Sequence, residues 1–108
     1  MTIQLNTDHS ITGSEKFKSV VAEQLTRELG HFTEHITRLE VHLADENGNK
    51  EGHSDKRCTI EARIEGRPSV AVTNHANTYE QAVSGAVHKL KSSLDTVFGR
   101  LRNHQHQS

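Results

Sequence analysis

His31-Phe32-Thr33-Glu34-His35 places two imidazoles and a carboxylate at the H-x-x-E-H spacing used by one group of zinc peptidases. That chemistry needs both imidazoles on one face of a stable helix, a further ligand, and an open metal position for water. Gly30 closes the preceding helical pattern just before His31, and a strand pattern resumes within a few residues of His35. The segment therefore reads as an exposed linker, and no metal is expected there. His104 and His106 are two ligands on a terminal segment, too few for a site. His9, His53 and His75 fall near element ends or in loops and read as solvated. Cys58 lies at an inward position of a strand pattern, where a thiol acts as a small buried hydrophobe rather than a nucleophile. Gly48 and Gly52 lack the Lys-Ser/Thr helix start that a phosphate-binding loop requires. Neither a catalytic residue nor a cofactor is expected.

The cations are more informative by position. At about 100° per residue, Lys89 and Arg100 share one flank of a long apolar helical stripe, and Lys91 and Arg102 share the other. On an earlier helix Lys16 and Arg27 share a flank, with Lys18 opposite. Two readings stand together. Such cations can grip phosphates without reading sequence, or they can extend their aliphatic stems over the edge of a core. Aromatic residues are almost absent from the strand patterns, which argues against recognition of single-stranded RNA on a sheet face.

The elements that carry these residues follow from periodicity. Ile3, Leu5 and Thr7 alternate with polar residues as a first strand. Phe17, Val20, Val21, Gln24, Leu25 and Leu29 recur at helical spacing, with Thr12 or Ser14 as the N-cap and Gly30 as the stop. Leu39, Val41 and Leu43 make a second strand, and the polar stretch from Asp45 to Asp55 reads as an exposed, mobile, acidic hairpin loop. Cys58, Ile60, Ala62 and Ile64 point one way along a third strand. Gly66-Arg67-Pro68 turns the chain into a fourth, through Val70 and Val72 and ending near Asn74. Thr78 and Gln81 have capping-box spacing at the start of a helix whose stripe runs from Tyr79 to Leu101.

The order β-α-β-β-β-α predicts an α/β (α+β) two-layer sandwich. A four-stranded mixed sheet carries two roughly parallel helices on one face, with a groove between them. Residues 1–102 read as a single domain and 103–108 as a flexible C-terminal tail. The 108 residues suit one core, and a 31% hydrophobic content with a mean hydropathy of -0.73 makes that core modest. No apolar run is long enough to span a bilayer, and the N-terminus lacks a secretory h-region. The lone cysteine fits a reducing cytosol. A net charge of -1 alongside nine His leaves a nucleic-acid partner neither required nor excluded.

The chain also resembles the ribosome hibernation-promoting factors, or ribosomal subunit interface proteins, in their short form. The likeness runs from Ile3-Gln-Leu-Asn6 and Ile11-Thr12 through Leu29-Gly-His-Phe32, Ile36 and Val41-His-Leu43. It is most specific at Asn77-Thr-Tyr79-Glu-Gln-Ala82-Val83, continuing to Val87-His-Lys89-Leu90 and Leu94. The resemblance implies a non-enzymatic, cytoplasmic bacterial protein that binds the decoding region of the small ribosomal subunit under stress. There it would block messenger and transfer RNA. It makes Lys89 the best-matched contact to ribosomal RNA, then Lys91, Arg100 and Arg102, with Arg27 and Lys16 on the first helix after them. Asn77 and His88 stand where the family has Asp, and Asp95-Thr-Val-Phe98 replaces a basic run, which lowers the expected phosphate contact. A second reading keeps the fold and assigns it to binding a protein, or a further copy of itself, through the exposed sheet face.

Overall fold

The computed structural model describes residues 1–7, 15–45 and 56–107, with side chains described as far as Gly99. The caps expected at Thr12 or Ser14, the loop from 46 to 55, and His9 and His53 lie outside the described residues. The elements are β1 (Thr2–Thr7), α1 (Glu15–Glu28), a short 3-10 turn (Gly30–Phe32), β2 (Ile36–Asp45), β3 (Lys56–Ile64), β4 (Val70–Ala76) and α2 (Tyr79–Gln107).

Alternation sets the sheet. The strands lie in the order β1-β2-β3-β4, the first pair parallel and the other two pairs antiparallel. The register brings the apolar positions into rows on one face: Leu5 beside Val41, Val41 beside Ile60, and Ile60 beside Val72. Val41 and Ile60 are fully buried there, as are Leu39, Cys58 and Ala62. Because successive side chains alternate, the opposite face carries Arg38, Glu40 and His42 on β2 and Thr59, Glu61 and Arg63 on β3.

The helices cover the apolar face. Val21, Leu25 and Leu29, four residues apart, bring one side of α1 and its C-terminal end into the core, and Phe17 packs against it. Val20 does not join them; it is 52% exposed, because its direction diverges from that row toward Lys16 and Arg27. In α2 the inward residues are Ala82, Val83, Ala86, Val87, Leu90 and Leu94. Its start is fixed as the spacing foretold: the Gln81 N–H donates to Thr78 Oγ1 at 3.1 Å. The helical backbone continues through residues 103–107, the segment read from sequence as a tail.

Three boundaries differ from the periodic reading. β4 continues past Asn74 to Ala76, so His75 is a strand residue with an exposed side chain and not a loop residue. Asp45 belongs to β2, and its carboxylate takes Lys56 Nζ at 3.0 Å across the mouth of the hairpin. β2 begins at Ile36, ahead of the Leu39 alternation, through a register shift between Ile36 and Arg38. That shift inserts one residue, so Ile36 turns inward beside Ile64 although it is out of phase with Leu39.

Candidate nucleic-acid interface

The two helices touch through polar groups, so the expected groove between them is bridged. Gln24 Nε2 donates to Ser84 Oγ at 3.2 Å, and Lys91 Nζ lies 3.5 Å from Glu28 Oε1. Arg27 Nε reaches the other oxygen of the same carboxylate at 3.8 Å. Glu28 thus sits between two of the cations that sequence singled out, and it offsets charge that a phosphate would otherwise meet. Arg27 remains 65% exposed, and Lys16 is exposed further toward the start of α1.

Lys89 faces away from this cluster. Its Nζ donates to the backbone carbonyl of Thr73 at 2.9 Å, over the outer edge of β4. The helical spacing that put Lys89 and Lys91 on opposite flanks of α2 is therefore realised, and one flank meets α1 while the other meets the sheet edge. The four predicted positions whose side chains are described do not converge on one pocket: Arg27, Lys16 and Lys91 lie along the α1 side, and Lys89 lies on the other. Arg100 and Arg102 lie in the backbone of α2 beyond Phe98, and their side chains are outside those described.

The remaining chemistry is accounted for by packing. Cys58 is fully buried and its thiol is pushed up to about 12 by desolvation, so it is inert as a nucleophile. No cluster of three or more potential metal ligands occurs among the described residues. His35 stacks on the ring of Phe98 with centroids 4.6 Å apart, and His31 lies edge-on to Phe32 with centroids 6.5 Å apart. On the open sheet face, Arg38 and Arg63 approach Glu40 at 3.6 and 3.4 Å, and Arg63 also approaches Glu61 at 3.9 Å. Desolvation alone would raise the Glu40 pKa. The hydrogen bond with Glu61 and the charges of Arg63, Arg38 and His42 outweigh it and hold the carboxyl below its ordinary value. That face is largely self-neutralised.

Residues 4–102 match the family described as sigma 54 modulation protein / S30EA ribosomal protein. No curated protein sequence matches the chain. Among solved structures, a ribosomal subunit interface protein from Coxiella burnetii is similar with a TM-score of 0.75 at 14% identity, over 92% of this chain and 99% of that one. The N-terminal domain of Thermus thermophilus Protein Y is similar with a TM-score of 0.71 at 16% identity, over 90% of this chain and 99% of that one. At such identities the structural likeness speaks for the fold, and the family match speaks for kinship.

Proposed function

Because the chain belongs to the sigma 54 modulation protein / S30EA ribosomal protein family, whose members are ribosome-associated modulators and not enzymes, we propose that it inhibits translation by occupancy. It binds the decoding region of the small ribosomal subunit in the cytoplasm under stress and blocks messenger and transfer RNA. The observation that carries this reading is the family match over residues 4–102, which covers α1, β2, β3 and β4 in full, β1 from Gln4 onward and α2 as far as Arg102. The helical layer supports it with cations on both sides, Arg27, Lys16 and Lys91 along α1 and Lys89 over β4. Cations so placed contact phosphates, which position a protein on RNA without reading its bases. Lys89, Lys91, Arg100 and Arg102 on α2 then set the main contacts, and Arg27 and Lys16 extend them along α1.

Co-sedimentation with purified bacterial small subunits at low and moderate salt tests the reading. Binding should weaken as salt rises and should be lost when messenger and transfer RNA already fill the decoding region. Reversing charge at Lys89 and Arg100 together should reduce binding and flatten the salt slope by about two. Failure of the native protein to bind at either salt would refute the proposal.

A further inference from the structure

Phe98 joins two stacked rings at the end of the molecule where α2 passes the 3-10 turn and the β3–β4 turn. Phe32 packs against it with centroids 5.6 Å apart and planes 22° apart, and His35 with centroids 4.6 Å apart and planes 28° apart. The guanidinium of Arg67 lies over the Phe98 ring, 5.7 Å from its centroid. Phe32 is 4% exposed and belongs to the core, whereas His35 and Arg67 are exposed. The core therefore ends at Phe32 and Phe98, and a polar ring is held flat beyond them.

The backbone fixes that ring on both sides. The His35 N–H donates to Phe32 O at 2.9 Å, and the His35 carbonyl accepts from Glu65 N–H at 3.0 Å. Arg67 is set by the turn that follows, where its N–H donates to Ile64 O at 3.2 Å and Gly66 takes a φ of +73° that few other residues tolerate. An exposed, preorganised aromatic ring next to a guanidinium is the arrangement on which unpaired bases stack. Arg100 and Arg102 follow Phe98 in the sequence of α2.

We propose that His35, backed by Phe98 with Arg67 over the same phenyl ring, is a stacking site for a nucleobase of single-stranded RNA. This rests on the RNA-binding reading above and adds a contact type that the helical cations lack. Glu34 and Glu65 lie close to His35 and Arg67 in sequence, so two carboxylates outnumber one guanidinium and the site offers phosphate no net attraction. Stacking supplies the affinity there, and its loss leaves the salt slope unchanged.

The experiment uses the full chain in two arms. In the first, short oligoadenylate and oligouridylate are titrated while the His35 ring protons are followed by NMR. Oligoadenylate should bind more tightly and shift those signals upfield, and unmoved His35 signals would overturn the site. In the second, small-subunit affinity is compared for the native protein, His35→Ala and His35→Phe, each checked for an unchanged melting transition. The alanine variant should bind roughly five- to a hundredfold more weakly with the same salt slope, and phenylalanine should restore binding. Equal binding by all three, or a slope reduced by about one in His35→Ala, would overturn stacking. A protein that shows the His35 shift with oligoadenylate yet ignores small subunits would keep the stacking site and refute the ribosomal reading.

Discussion

Glu28 shows how one carboxylate can govern a margin of cations. It lies 3.5 Å from Lys91 and 3.8 Å from Arg27, on a rim where all three side chains are at least 38% exposed. Each pair is worth little to stability in such solvent. A phosphate approaching the rim nevertheless meets the carboxylate's repulsion and must compete for both cations. Glu28→Gln should therefore tighten small-subunit binding by about two- to fivefold at low salt, an effect that fades as salt screens it. Filter binding across a salt series measures this, and unchanged affinity at low salt would mean that the α1 margin faces away from RNA. The flanks of Lys89 and Lys91 were legible because helical geometry alone fixes them. Their partners were not legible: Thr73 and Glu28 are brought to them by tertiary packing, for which a single sequence carries no period.

Among the elements, α2 owes its seat on the sheet to a close approach. Asn74, at an inward position of β4, donates from Nδ2 to Ala82 O at 3.2 Å and to Gln81 O at 3.4 Å. These contacts tie the first turns of the helix to the strand. The Asn74 amide occupies the space where a Cβ on Gly85 would lie. An alanine in the middle of a helix ordinarily stabilises by about 1 kcal/mol over glycine. Here overlap reverses the sign, and Gly85→Ala should cost about 1–3 kcal/mol, read as a melting temperature lower by roughly 5–15 °C. A variant that melts at or above the native temperature would show that Asn74 can step aside. Strand alternation foretold every buried position from Leu39 to Leu43 and from Cys58 to Ile64. It missed Ile36 because a bulge changes the phase, and helical spacing misplaced Val20 because a valine suits the exposed shoulder of a helix as readily as its stripe. The exposed-linker reading of His31 to His35 missed that Phe32 is buried in the core, and the stack of His35 on Phe98 joins residues 63 positions apart and left no trace in spacing.

At the scale of the whole molecule, 14% and 16% identity to solved relatives accompany TM-scores of 0.75 and 0.71. What persists is a binary pattern: alternation in four strands and one stripe on each of two helices, all burying a common face. Such a sheet has two edges, and the chain treats them differently. The β4 edge has the Lys89 ammonium seated on the Thr73 carbonyl, a charge that an incoming strand would have to bury or displace. The β1 edge, Thr-Ile-Gln-Leu-Asn-Thr, contains no charged residue. Lys89→Ala should therefore give species larger than a dimer at high concentration, seen by light scattering coupled to size exclusion, whereas the native chain stops at a dimer or below. Identical profiles would mean that β4 is protected by other means. The asymmetry has a consequence for assembly. Two copies meeting at their uncharged edges through a two-fold axis complete each other and stop, because what remains outward on both sides is the guarded edge. Open-ended growth needs two adhesive edges per copy, and one lysine removes the second: it works as a chain terminator in the polymer chemist's sense.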